Sequence, residues 1–342
     1  MKKIYYITAV FATLFLVGCG DGIDLPGVNV ETDLNKIPLP DNNVNLEQVE
    51  LKPSTEPMLH EGLHTEEDFQ RIRDKKAAGE EPWVSAYQLL VESQFSQKTA
   101  DTYPTEWIKR GISGDENYMN AARGATIVYQ QALRWKIEQD DEYAAKAVEN
   151  LNKWVQTCVG VTGNTNLSLA AGLYGYEFAI AGELLRDYGG WDRADFAAFQ
   201  KWLLKLFYPA NDDFLKRHHD TNALHYWANW CLCNIAAKMA IGIVTDRRDI
   251  YNEGIAHLQT GDTNGRLRRA IYHDYAPDYN FAQWQESGRD QGHTLMCVGL
   301  MGIICQLAWS QGDDFFAYDD NLFLRACEYA ACCNYTNETV PY

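Results

Sequence analysis

Three short stretches of this chain hold more imidazole, amide, guanidinium and aromatic groups than packing requires. The longest is Gln283-Trp284-Gln285-Glu286-Ser287-Gly288-Arg289-Asp290-Gln291-Gly292-His293-Thr294, which sets seven amide, acidic, basic or imidazole side chains and two glycines directly before an apolar run. Such a loop delivers donors to the start of a helix, where free N–H groups and the helix dipole favour an anion such as a carboxylate. It equally suits an interior ion-pair network in which Glu286 and Asp290 hold Arg289, and the two roles are compatible because reactive side chains need rigid support. The second stretch runs from His218-His219 through Asn222, His225 and Tyr226-Trp227-Ala228-Asn229-Trp230. Placed on a helix over 223–244, it puts Leu224, Ala228, Cys231, Ile235 and Met239 on an apolar face. Asn222, His225 and Asn229 then share a separate polar stripe. A histidine aligned with two amides is a proton acceptor set beside donors, more than a buried structural histidine needs. In the third stretch, Asn164-Thr165-Asn166-Leu167-Ser168, Asn166 serves either as a helix N-cap or as an amide donor into a site.

The elements that must carry these groups are helices. Thr65 with Asp68 caps a segment to about Ala78, and Pro82 starts the next, since proline is tolerated in a first helical turn. Ala121, Ala125, Val128, Ala132 and Trp135 recur at helical spacing, and Ala144, Ala147, Val148, Leu151 and Val155 repeat the pattern after a polar break at 139–141. Further helices are expected over 168–188, 193–207, 249–259, 293–310 and 321–333, with no convincing alternating strand. About ten helices joined by short polar breaks form antiparallel hairpins. Without a fixed-length repeat the pattern favours an (α/α) toroid, an incomplete barrel of hairpins, over a consensus solenoid. Residues 295–309 are nearly all apolar, but the run is short for a membrane span and Gln306 interrupts it, so it reads as a buried core helix.

Lys2 and Lys3 precede an apolar run from Ile7 to Val17 that ends in Leu16-Val17-Gly18-Cys19, the pattern of a bacterial lipoprotein signal peptide over residues 1–18 with lipid on Cys19. A tether over 19–57 follows, with Pro26, Pro38, Pro40, Pro53 and Pro57 among Asn, Asp and Glu. The rest, 58–342, is one domain, since 46% hydrophobic and 13% aromatic content excludes disorder. The lipid would tie the protein to the outer membrane, facing the periplasm or the cell surface. Net charge is −17, and −19 once the two lysines of residues 1–18 are gone, which argues against a nucleic-acid partner. An anionic partner needs locally concentrated base, and Lys216-Arg217-His218-His219 and Arg266-Leu267-Arg268-Arg269 supply it or else form solvated faces. The eight cysteines other than Cys19 sit in apolar stretches and read mostly as buried thiols; no zinc-like spacing stands among them.

The 283–294 stretch, together with Tyr226-Trp227-Ala228-Asn229-Trp230, Asn264-Gly265 and the opening Glu66-Glu67-Asp68-Phe69-x-Arg71-Ile72-Arg73, resembles the alginate-lyase domain family of secreted and lipid-anchored bacterial enzymes. The likeness covers most of the chain from Met58 onward. It implies an (α/α) toroid with a cleft and β-elimination on an anionic polysaccharide built from mannuronate, guluronate or glucuronate, with no cofactor and no obligatory metal. Some members carry Asn-His two or three residues before the Tyr-Trp pair, where this chain has Ala223-Leu224 and sets His225 directly before Tyr226. The chain stops at Val340-Pro341-Tyr342 after about ten helices, against twelve to fourteen in a full toroid of such lyases, which leads us to expect a C-terminal truncation.

Elimination removes the C5 proton of a uronate and expels the 4-linked oxygen. The neighbouring carboxylate must be neutralised first, which assigns Asn166, Arg289 and Gln285 as donors. His225 is the first candidate for the base, with Tyr275 or Tyr279, close to Arg268-Arg269, as base or as the acid for the leaving oxygen, and His219 and His293 in reserve. Asn222, Trp227, Asn229, Arg269, Gln283, Gln285 and Glu286 are the substrate-binding candidates; Trp227, Trp230 and Trp284 stack on sugar rings or serve as core. Two other readings stay open. One is a helical-ring glycoside hydrolase using Glu286 and Asp290, which needs two carboxylates about 5 to 10 Å apart. The other is a glycan-binding surface lipoprotein without a base.

Overall fold

The computed structural model describes residues 55–335 and 340–341. Cys19, the signal peptide and most of the tether lie outside the described residues. The helices in chain order are α1 (Glu66–Ala77), α2 (Trp83–Glu92), α3 (Tyr118–Glu138), α4 (Asp141–Thr157), α5 (Leu167–Leu185), α6 (Arg193–Leu206), α7 (Tyr208–Arg217), α8 (Ala228–Val244), α9 (Arg248–Thr260), the single turn α10 (Leu267–Ala270), α11 (Gln291–Ser310) and α12 (Tyr318–Tyr335). Thr65 and Asp68 form the expected reciprocal cap on α1.

Burial sorts these helices into two layers. Every residue of α5 except Glu177, and every residue of α8 except Trp230, is buried, so neither helix has a face left for water. They pack on each other, α3 packs on α5, and α11 on α8, giving an inner arc α3–α5–α8–α11. Amphipathic α4 and α9 back the arc from outside, as do α6, α7 and α12. This is the helical toroid expected from the hairpin pattern. Aromatic rings wedge the layers together: Phe178 of α5 meets Trp154 of α4, Trp202 of α6 and Phe207 at centroid distances of 5.4, 5.2 and 6.3 Å. The apolar helix α11 belongs to the core as well, with two-thirds of its most apolar window buried inside the fold.

The inner helices run in one direction. Near the start of α5 the Asn234 amide donates to the Ser168 carbonyl, and past its end Arg186 donates to Val244 O at the end of α8. The strands β1 (Trp107–Arg110) and β2 (Gly160–Gly163), which lead toward α3 and α5, pair in parallel. Gln285 and Glu286, just before α11, accept the N–H groups of Ala228 and Asn229 at the start of α8, so all four inner N-termini point to one end of the ring. The opposite end is strapped by residues 57–64. Pro57 O accepts from Arg248, Leu59 exchanges hydrogen bonds with Gln311, His60 Nε2 lies 2.9 Å from Asp246, and His64 bonds Tyr129 of α3.

Three features depart from the sequence reading. Two short sheets exist where no strand was expected, β1–β2 and the antiparallel β3 (Ile271–Asp274) with β4 (Ala282–Trp284). Residues 208–217 form a separate helix. The helix expected from Ala223 begins only at Ala228, because the Asn264 amide takes the carbonyls of Leu224 and Tyr226 and holds that backbone outside helical geometry.

Candidate active site

Because the inner helices are parallel, the three polar stretches, each lying just before an inner helix, gather at one end of the ring. Residues 164–166 precede α5, 218–227 precede α8, and 283–290 precede α11. They touch. Ser168 Oγ lies 3.0 Å from His219 Nε2, Tyr226 reaches toward Thr165, and Gln285 Oε1 accepts the Ala228 N–H at 2.9 Å.

The loop before α11 is built around Glu286, which is fully buried. Its Oε1 accepts the Asn229 N–H at 3.3 Å and its Oε2 faces Arg289 NH1 at 3.4 Å. Burial pushes this carboxyl above its usual range, opposed by the Asn229 N–H and by Arg289. Asp290 caps α11 by accepting the His293 N–H at 2.8 Å and holds the His293 ring through Nδ1 at 2.6 Å. Burial raises the Asp290 carboxyl, but the His293 contacts and Arg289 outweigh it, leaving it below its ordinary value. The interior ion-pair network is thus real. The expected free helix N-terminus is not, since Asp290 caps α11 and Gln285 with Glu286 caps α8. Arg289 also lies under the Trp227 ring, 5.3 Å from its centroid, while that ring is exposed. Such a platform can stack on a sugar with a cation beneath it.

Asn222 and His225 do not share a helical stripe with Asn229. Both stand exposed in the loop before α8, whereas Asn229 is buried as the second residue of α8, its Oδ1 accepting from Trp230 N and its amide donating to Met296. Leu224, assigned to the apolar face, is 52% exposed. His225 rests edge-on against Tyr226, centroids 4.9 Å apart, and Tyr226 packs against His218 and His219. His219 is buried with Nδ1 unpartnered, and burial lowers its pKa against the pull of Asp213; His218, stacked on Phe214, is lowered by burial to about 4. Both rings are therefore neutral at pH 7, and His225 is the accessible imidazole of the three. Asn166 does not cap α5 with its side chain; its amide donates to Asn164 Oδ1 at 2.9 Å.

The β3–β4 hairpin brings Tyr275 and Gln283 together, the Tyr275 hydroxyl donating to Gln283 Oε1 at 2.7 Å. Tyr279 is exposed and its backbone N–H returns to Tyr275 O. Arg269 is half-buried on α10 with NH1 unpartnered. Three more members of the two basic clusters are paired internally: Arg268 with Asp319 and Asp274, Lys216 with Asp212, Arg217 with Asp213 and Asp220. Trp284 is core, as its full burial shows, and Trp230 packs on Tyr226 at 4.7 Å. Among the described residues no three His, Cys, Asp or Glu side chains gather as metal ligands, and every described cysteine is a free thiol. In the sequence alone Tyr226, Thr165 and Asn264 carry no role, although all three stand inside quoted stretches; their partners lie too far along the chain to be counted.

An arc of parallel inner helices with imidazole, amide and guanidinium groups collected at its N-terminal end defines a helical-toroid enzyme. The sequence profile of the family described as alginate lyase matches residues 73–338. The chain belongs to the alginate lyase family, and it is a polysaccharide lyase. Solved structures agree on the fold. A variant of alginate lyase A1-III complexed with tetrasaccharide is 14% identical, with a TM-score of 0.60 over 84% of this chain and 85% of that one. Alginate lyase A1-III from Sphingomonas species A1 is 14% identical, with a TM-score of 0.56 over 81% and 80%. An alginate lyase from Bacteroides ovatus is 14% identical, with a TM-score of 0.55 over 79% and 82%. Comparison with curated protein sequences finds no match.

Glu286→Ala should cost roughly 3–5 kcal/mol, because it takes from Arg289 its buried partner, leaving it Asp290 at 3.9 Å, and leaves the Asn229 N–H buried without an acceptor, whereas Gln285→Ala, at a half-exposed cap, should cost about 1 kcal/mol. Urea denaturation of both variants measures this, and equal losses would contradict the ranking.

Proposed function

We propose that this lyase cuts uronic-acid polymers at the N-terminal end of its helical ring, with His225 as base, Tyr275 as acid and Asn166 with Arg289 neutralising the substrate carboxylate. One observation carries the proposal: His225 leans on Tyr226, which reaches toward Thr165, next in sequence to Asn166. The loops that carry the accessible imidazole and the amide donor therefore meet at the starts of α8 and α5. Proton abstraction beside a carboxylate requires this combination, a base within reach and a donor that offsets the charge which otherwise keeps C5–H unreactive.

Arg289 suits neutralisation in part. Its pairing with Glu286 holds it rigid, and its position under Trp227 fixes it beneath a surface that can carry the sugar ring. Tyr275 suits proton donation to the leaving oxygen because its bond to Gln283 fixes the phenol oxygen in place; the O–H leaves Gln283 and turns to the leaving oxygen as the proton is transferred. Gln285, Asn222 and Arg269 remain candidates for contact with neighbouring sugars, while Asn229, Gln283 and Glu286 act through the groups they hold. The hydrolase reading is not favoured: Glu286 is sealed from solvent and Asp290 is committed to capping α11 and holding His293. We further propose that the enzyme is tethered to the outer membrane through lipid on Cys19, on the strength of Lys2-Lys3, the apolar run and Gly18-Cys19.

Elimination leaves a C4–C5 double bond that absorbs in the ultraviolet, so activity on alginate and other uronate polymers is read directly; reducing ends without absorbance would contradict β-elimination. In mannuronate linkages the C5 proton and the leaving oxygen lie on one side of the ring and a single Tyr can serve both transfers. In guluronate they lie on opposite sides and need a second group. His225→Ala should therefore abolish cutting of guluronate-rich polymer and spare part of the activity on mannuronate-rich polymer. Tyr275→Phe should abolish both, each by about 100-fold or more. Equal, small losses with folding intact by circular dichroism would remove His225 from the chemistry. Cys19→Ala should move the protein from the membrane pellet to the supernatant, and continued sedimentation would contradict the anchor.

A further inference from the structure

Arg110 closes β1, and none of the roles above involves it. Its side chain is 6% exposed and NH1 has no hydrogen-bond partner. Among the described residues it forms no ion pair; its compensating contact is the face of Tyr118, 4.6 Å from the guanidinium carbon. An isolated buried charge is costly and is normally paired or moved to the surface.

Its surroundings sharpen the anomaly. Arg110 is in register with Gly163, and a Cβ on Gly111, whose φ is +81°, would fall 1.8 Å from Asn164 Oδ1, so the guanidinium springs from backbone pressed against the Asn164–Asn166 stretch. Tyr118 opens α3, a helix of 21 residues with no acidic residue in its first turn and no side-chain cap. Asn117 stands at the capping position but uses its amide to accept from Lys109 N and donate to Trp107 O. The nearby acids are engaged elsewhere, Asp115 with Lys109 at 2.6 Å and Glu116 with the Gly111 N–H. A buried cation and the positive end of a long inner helix thus share one place beside the candidate site in which, among the described residues, no carboxylate pairs with the guanidinium.

We propose that Arg110 receives the carboxylate of a uronate unit flanking the one that loses its proton. The inference rests on the N-terminal end of the ring being the lyase site. A planar guanidinium matches a carboxylate with two parallel hydrogen bonds, and a uronate polymer presents one carboxylate on every sugar, so a flanking unit must bring its charge into the cleft. The substrate then supplies the counter-charge that the fold omits. Arg110 is a binding residue and takes no part in proton transfer.

The test uses the full chain with Arg110→Met and Arg110→Lys, kinetics on polymannuronate read by ultraviolet absorbance, and melting temperatures with and without oligomannuronate. For Arg110→Met we expect KM to rise about tenfold or more with kcat within about threefold, since the interaction is made equally in ground and transition states. Its melting temperature should not fall, because an unpaired buried charge is gone, and the oligomannuronate-induced rise seen in the wild type should vanish. Lys should restore part of the binding. On polymer whose carboxyls are methyl-esterified, wild type and Arg110→Met should have the same KM. An unchanged KM, a loss confined to kcat, or a lowered melting temperature with intact oligomannuronate stabilisation would overturn the assignment. If the wild type forms no double bond on any uronate polymer, the lyase-site reading fails. Oligomannuronate stabilisation then decides separately, for Arg110 if the Met variant loses it and against if both keep it.

Discussion

The fold of the site depends on one buried carboxylate. Glu286 is sealed from water, accepts the Asn229 N–H at the start of α8 and balances Arg289 just before α11. A carboxylate in that position carries a large desolvation cost, visible in its raised pKa, and is stable only while both partners are present. The consequence is positional. The N-termini of two inner helices are locked to each other, Gln285 adds a second cap on α8, and Arg289 is left with one direction to point, under the Trp227 ring.

Electrostatics follow the same economy. A chain of net charge −17 repels a polyanion on average, and Lys216, Arg217 and Arg268 of its two conspicuous basic clusters are paired with neighbouring aspartates. Attraction for an anionic glycan therefore rests on a few guanidiniums held where water is scarce. Arg289 is balanced by Glu286, and Arg269 and Arg110 each have an NH1 that no protein group satisfies. Charges in such settings act strongly at short range and weakly at long range, which suits a site that grips a polymer in its cleft.

The layered helical fold was legible because burial on all sides leaves runs of apolar residues, as in α5, α8 and α11, and amphipathic outer helices leave a clear period, as in α4. The clamp at 283–294 was legible for a local reason: Glu286 with Arg289, and Asp290 with His293, are each three residues apart. The stretch before α8 was misread because its conformation is set from a distance. Asn264, Gln285 and Glu286 hold it from 38 to 57 residues away, and a period counted along the chain cannot register them. The strands escaped notice because each is three or four residues long. Arg110 carried no signal in the sequence, since what sets it apart is that among the described residues it forms no ion pair in three dimensions.

The central claim is that substrate lies across the N-terminal ends of α3, α5, α8 and α11 and away from the strapped end formed by residues 57–64. Hydrogen exchange of the Tyr275→Phe variant with and without a saturating oligomannuronate tests it most directly. The account predicts slowed exchange in segments 110–119, 164–168, 224–230 and 288–294, and no change in segments 57–64, 183–187, 244–248 and 310–313. Protection of the second set with none in the first would place the substrate at the wrong end of the ring and contradict the account.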